Sequence, residues 1–127
     1  MLPAAGGLFA GLTQLPTVRS LARLLEAGGA LSCPGVCASA RPFFAALLQK
    51  FFPVRPVVIV TDGLKSQESF QQDLATWLGS APLFYPSWEI FPHENKLPHA
   101  DAISDRLQTL VTLNQILEGR VPQIPNP

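Results

Sequence analysis

A loop between two predicted elements has the length of a phosphate-binding P-loop, G-x-x-x-x-G-K-[ST]. It begins at Gly35, and Ala40, Arg41 and Pro42 replace the second glycine, the lysine and the hydroxyl residue that binds Mg²⁺. Pro42 also lacks the N–H that would face an anion at the start of a helix. We therefore interpret Gly35, Ala40, Arg41 and Pro42 as a degenerate nucleotide loop that holds no cofactor. Arg41 could still pair with a carboxylate of a partner protein.

The two cysteines, Cys33 and Cys37, are separated by three residues. A redox pair is more usually C-x-x-C, and a zinc site would need two further ligands. The pattern favours buried structural thiols. Two cysteines are too few for a disulfide framework, which indicates a reducing compartment and hence a cytoplasmic protein.

Several acidic residues and both histidines follow position 88, namely Glu89, His93, Glu94, His99 and Asp101. A helical H-E-x-x-H zinc motif needs histidines four residues apart, whereas here they are six apart and prolines flank them. The sequence therefore predicts no metal site. No nucleophile or orienting partner accompanies the carboxylates, so we predict no catalytic residue either.

An aromatic segment, Tyr85 to Pro92, carries four large apolar side chains. One interpretation is that it packs over the edge of a sheet. The alternative is an exposed contact surface, because aromatic loops often mark protein interfaces. On that alternative, the candidate interaction residues are Arg41, Trp88, Glu89, His93 and Glu94.

Alternating elements must position these residues. Three short apolar runs predict strands at residues 30–33, 57–60 and 83–85. Helical spacing of apolar residues predicts helices that begin near Thr17, Pro42, Ser66 and Asp101, with Thr17 and Asp101 as N-caps. Glycines are expected to end three of them, at positions 28, 79 and 119.

Strands that alternate with helices indicate an α/β fold with a parallel sheet and right-handed crossovers. We predict a three-layer parallel sheet, P-loop-NTPase-like, with its ligand-binding loops at the carboxyl ends of the strands. Residues 1–28 would form an N-terminal helical extension. Residues 29–127 would form the α/β domain, which we expect to be incomplete at its C-terminal end.

Charge divides the chain into two opposed halves. The total is nine basic and nine acidic residues, but residues 1–56 hold five basic and one acidic, and residues 57–127 hold four basic and eight acidic. Such a balance argues against a nucleic-acid binder that acts through bulk charge, and it suits docking against protein. No apolar run reaches the ~18 residues of a membrane span, and the N-terminus is a poor signal peptide.

Four separated groups of residues resemble the N-terminal region of bacterial transcription-repair coupling factor, which is similar to the first domain of the damage-verifying helicase of the excision nuclease. The resemblance covers roughly residues 15–120. It is most specific in the aromatic-Pro-Ser-Trp-Glu group and in the group that contains Ser104-Asp105-Arg106-Leu107. The four groups are Ser66-Gln67-Glu68 with Gln72-Asp73-Leu74 and Trp77-Leu78; Phe84-Tyr85-Pro86-Ser87-Trp88-Glu89 with His93-Glu94; Asp101-x-x-Ser104-Asp105-Arg106-Leu107; and Val57–Asp62.

The resemblance implies a non-catalytic protein-interaction module of transcription-coupled nucleotide excision repair. The module would help couple stalled RNA polymerase to the damage-recognition ATPase, and it would contact other domains of its parent. The parent would be an ATP-dependent DNA translocase, with ATP and DNA bound by other domains. Two alternatives remain at this stage, namely a nucleotide-binding P-loop enzyme fragment and a stand-alone α/β adaptor unrelated to repair.

Overall fold

The computed structural model describes residues 5–88, 90, 93–94 and 97–119, and these residues form helices joined by irregular segments. The chain divides into two compact units, the first ending at Val58 and the second beginning at Ile59. The described α-helices are α1 (Ala5–Thr13), α2 (Pro16–Ala27), α3 (Arg41–Phe51), α4 (Leu64–Leu78) and α5 (Ala100–Leu117).

In the first unit, α1 packs against α3 through aromatic rings. The rings of Phe9 and Phe43 stack with centroids 5.2 Å apart and planes within 7°. Phe9 is buried, as are Ala46 and Leu47 on α3. Stacked aromatic pairs of this kind contribute about 0.5–1.5 kcal/mol beyond their burial. Because the buried residues lie on α1 and α3, these two helices form the core of this unit.

In the second unit, α4 and α5 both bond to the irregular segment 84–86 that lies between them in sequence. Leu74 of α4 and Thr109 of α5 are buried here, so the core of this unit is small and partly polar.

Four of the five helices agree with the predicted ones, while α1 was not predicted because its segment contains three glycines. Gly79 ends α4 in the left-handed region at φ 73°, a conformation that favours glycine over residues with a Cβ. The two predicted N-caps are wrong. Leu15 precedes Pro16 at the start of α2, and His99 is the N-cap of α5. Asp101 instead lies in the first turn of α5, with its carboxylate 3.3 Å from His99 Nδ1.

The predicted three-layer parallel sheet, P-loop-NTPase-like in fold, is wrong: the part of the chain that the structure describes contains no strand. Val58 and Val60, in the clearest predicted strand, are 83% and 89% exposed. A parallel strand is buried on both faces, so this apolar run lacks the environment that its composition indicated.

In the other two predicted strands, three backbone carbonyls accept hydrogen bonds that do not belong to a sheet. The carbonyl of Cys33 accepts the N–H of Val36 across a tight turn. The carbonyls of Phe84 and Tyr85 accept hydrogen bonds from side chains of α5 and α4. All three runs are shorter than the usual strand of ~5–6 residues, and β-propensity depends strongly on neighbouring strands. Short β-branched runs were therefore not sufficient to build a sheet.

Candidate interaction site around Arg106

The guanidinium of Arg106 lies between two aromatic rings of the predicted contact segment. Its Cζ is 3.9 Å from the centroid of the Tyr85 ring and 4.3 Å from that of the Trp88 ring. Arg106 projects from α5, about 20 residues further along the chain. A planar cation over two ring faces is attracted by both, by about 0.5–2 kcal/mol each depending on exposure. We name Tyr85, Trp88 and Arg106 the arginine clamp.

Hydrogen bonds fix the guanidinium of the clamp. Arg106 Nη1 donates to the carbonyl oxygen of Pro86 at 2.6 Å, and Nη2 donates to Tyr85 Oη at 2.6 Å. Bonds from a charged donor contribute about 1.5–3 kcal/mol each, and the planar fork makes two of them from one side chain. A lysine at this position could neither stack in the same way nor bond twice in that geometry.

Three successive backbone carbonyls in this segment accept bonds from helix side chains. Thr109 Oγ1 donates to Phe84 at 2.5 Å, Gln67 Nε2 donates to Tyr85 at 3.0 Å, and Arg106 donates to Pro86. Gln67 lies in the first turn of α4, and the other two donors lie on α5. The segment is therefore fixed from both helices, which orients the aromatic side chains that follow.

The clamp is open to solvent on one side, since Tyr85 is 43% and Trp88 47% exposed. Among the described residues, no carboxylate pairs with Arg106. The site thus combines an aromatic surface with a positive charge whose partners, among the residues that the structure describes, are neutral oxygens. Tyr, Trp and Arg are the residues most enriched where protein interfaces bind tightly, and an acidic side chain of a partner fits the charge.

The other predicted interaction residues are not part of the clamp. Arg41 is the exposed first residue of α3, in the first unit. His93 and Glu94 are exposed in the second unit. Glu89 lies outside the described residues. Of the predicted set, only Trp88 belongs to the clamp.

Three N–H groups of the degenerate loop bond to carbonyls of its own segment. The N–H of Val36 donates to Cys33, that of Ala40 to Cys37 and that of Arg41 to Ala38. Pro42 is buried in the first turn of α3 and has no N–H to offer. A P-loop holds phosphate with free backbone N–H groups, and these three N–H groups are not free to do so. A Cβ atom added at Gly35 would have no other atom within 4 Å, so this position has room for a side chain.

The prediction of buried structural thiols is wrong, because Cys33 and Cys37 are both exposed. Cys37 precedes the 3₁₀ turn Ala38–Ala40, and its sulfur lies 3.5 Å from Ser39 Oγ. The hydroxyl of Ser39 and then the backbone N–H of Ala40 lower the pKa of the Cys37 thiol, because both stabilise the thiolate.

Sequence analysis missed the roles of Arg106, Thr109 and Gln67. Their partners lie 18 to 25 residues away, so no local spacing reveals the contacts. The sequence carries only a weak signal of these contacts. Arg106 and Thr109 are three residues apart, so they share one face of α5. Both are polar at positions where an apolar core residue would be expected.

No family model, no curated protein and no solved structure matches the chain. Within the described ranges, no group of three or more potential ligands could hold a metal ion. None of the described helices is both long and apolar enough to cross a membrane.

Proposed function

We propose that the chain is a non-catalytic protein-interaction module of the transcription-repair coupling type. It helps couple stalled RNA polymerase to the damage-recognition ATPase of nucleotide excision repair, within a parent that is an ATP-dependent DNA translocase. A cytoplasmic location is part of this proposal, in keeping with two free thiols.

The arginine clamp carries the proposal. The two most specific groups of the resemblance are the aromatic-Pro-Ser-Trp segment and the Ser-Asp-Arg-Leu run, and Arg106 of the second stacks between Tyr85 and Trp88 of the first. The two groups are far apart in the chain but bonded to each other, so their contact gives one structural explanation for both. The clamp also has the composition of an interface hot spot, which supports binding of protein.

The test is a binding measurement between the chain and the damage-recognition ATPase of the excision system, repeated with the longer protein if its reading frame continues. Trp88→Ala removes half of the clamp's exposed aromatic surface. We expect it to weaken binding at least tenfold, in the range of hot-spot truncations. Arg106→Lys keeps the charge but loses the fork, so it should weaken binding in the same direction.

Leu24→Ala is the matched control, since Leu24 is 55% exposed and lies on α2 in the other unit. It should leave the affinity unchanged. Failure of both the chain and the longer protein to bind the ATPase would count against the repair assignment. Binding that Trp88→Ala leaves intact would instead place the contact outside the clamp.

A further inference from the structure

Helix α5 exposes a row of large aliphatic side chains, while its inward side mixes polar residues with Ala102, Ile103 and Ile116. Asp105, Arg106, Thr109 and Thr112 are buried or half-buried. The exposed side carries large aliphatic side chains: Leu107 is 57%, Leu110 50%, Val111 54%, Leu113 41% and Leu117 85% exposed. A helix on the surface of a globular protein usually shows the opposite arrangement, so this face is a candidate interaction surface.

The spacing along this face is that of a coiled coil. Steps of four, three, four and three residues connect the half-buried Ile103 to the exposed Leu107, Leu110, Asn114 and Leu117. This alternation places Leu107 and Asn114 at a positions and the other three at d positions of a heptad repeat. We name these five residues the α5 seam, and it needs a second helix with the same spacing.

We propose that the α5 seam docks against the α5 seam of a second copy of this chain, as a parallel two-stranded coiled coil. This interaction is independent of the repair function proposed above. Its occupant is argued from three features: the area available, the charge of the face and the asparagine in the seam.

The area is sufficient for a weak dimer. Full burial of an aliphatic side chain removes roughly 100 Å² from water. The exposed parts of the α5 aliphatic side chains therefore offer on the order of 300 Å² per copy. These side chains are Leu107, Leu110, Val111, Leu113 and Leu117. Interfaces of this kind are about 60% apolar, and two copies would thus bury about 1,000 Å² in total. That value lies at the lower limit for a specific interface.

The charge of the face favours a second copy over a charged partner. Residues 107–117 contain no charged side chain, so this stretch of two identical faces meets without repulsion, and the nearest charges are Arg106 before it and Glu118 after it. The apolar side chains beside the seam, Val111 and Leu113, widen the surface that would leave water.

Asn114 indicates the parallel arrangement. Parallel pairing puts the two Asn114 side chains in one layer, and a single asparagine at an a position is a known device for fixing register and the two-stranded state. One N–H of Asn114 Nδ2 donates to Glu118 Oε1 at 3.0 Å. The second N–H and the amide oxygen can then bond to the equivalent amide of the other copy.

Sedimentation equilibrium of the full chain tests the proposal between about 1 μM and 1 mM. We expect the mass to rise from 13.7 kDa toward twice that value with concentration. Leu110→Glu, which opposes two carboxylates in the seam, should weaken dimerisation at least tenfold. Gln108→Glu adds the same charge to α5 at a b position, away from the seam, and should leave dimerisation unchanged. Circular dichroism verifies that both variants fold.

A cysteine variant tests the orientation. In a Cys33→Ser, Cys37→Ser background, parallel pairing brings the two residues of Leu117→Cys together, so glutathione disulfide should produce a covalent dimer. The same background with Gln108→Cys should give none. A mass that stays at 13.7 kDa at 1 mM, a larger oligomer, or a dimer equally weakened by both glutamates would overturn the proposal. A dimer without the residue-117 cross-link would overturn its parallel arrangement.

Discussion

A polar side chain, beside the apolar Leu74, is part of the small core of the second unit. Thr109 is buried, and its hydroxyl bonds to the carbonyl of Phe84, which lies 25 residues earlier. The bond is part-buried, and a carbonyl withdrawn from water without a donor is costly, so this bond stabilises the aromatic segment. Trp88 could be identified from its segment alone, but the residues that fix it could not.

Thr109→Val should destabilise the second unit. Valine has nearly the same shape but no hydroxyl, so the Phe84 carbonyl would lose its donor at a cost of about 1–3 kcal/mol. Urea unfolding followed by circular dichroism measures the change. Thr112→Val is the control, because that hydroxyl bonds to Gln108 within the same helix, and it should cost less than about 0.5 kcal/mol. Equal losses in both variants would contradict the role given to Thr109.

Cys37 should react as a thiolate at lower pH than is usual for a thiol. Its pKa is lowered chiefly by the Ser39 hydroxyl, so Ser39→Ala should move the midpoint of its alkylation curve upward. Iodoacetamide labelling at a series of pH values, read by peptide mass spectrometry, gives the curve. Cys33 is the internal reference, and its curve should not move. A Cys37 midpoint unaffected by Ser39→Ala would show that the hydrogen bond does not act on the thiol.

At the scale of elements, helices were predictable and strands were not, for a physical reason. A helix makes its backbone bonds within itself, so the apolar spacing around Leu74 and the stop at Gly79 are enough to locate α4. A strand needs a partner elsewhere, and nothing local states whether one exists. The run 57–60 has the composition of a buried strand, yet Val58 and Val60 are exposed.

Substitutions of the two valines test the finding that the run 57–60 is not a buried strand. Val58→Thr and Val60→Thr keep β-branching but make the surface polar, and at exposed positions each should change the free energy of unfolding by less than about 0.5 kcal/mol. Leu47→Ala and Leu74→Ala, at positions that are 5% exposed, should each cost about 2–5 kcal/mol. Losses of about 2 kcal/mol or more for each valine variant would indicate a buried strand instead.

At the scale of the whole molecule, charge and loop geometry both bear on nucleotide binding. The loop 35–42 belongs to the more basic half of the chain, which by charge alone could attract a phosphate. Its N–H groups at Val36, Ala40 and Arg41 are nevertheless bonded to carbonyls of the same segment. Three donors of the loop are thereby withdrawn from a phosphate, so we expect the loop not to bind nucleotide.

ATP with Mg²⁺ at millimolar concentration should therefore leave the melting temperature unchanged. A nucleotide present at 100 times its dissociation constant would stabilise the protein by about 2.7 kcal/mol, a shift of several degrees for a chain of this size. Differential scanning calorimetry with and without ATP measures this, and Mg²⁺ with sodium sulfate controls for general anion effects. A shift specific to ATP that Arg41→Ala abolishes would establish the loop as a nucleotide site. That result would favour the enzyme fragment over the interaction module.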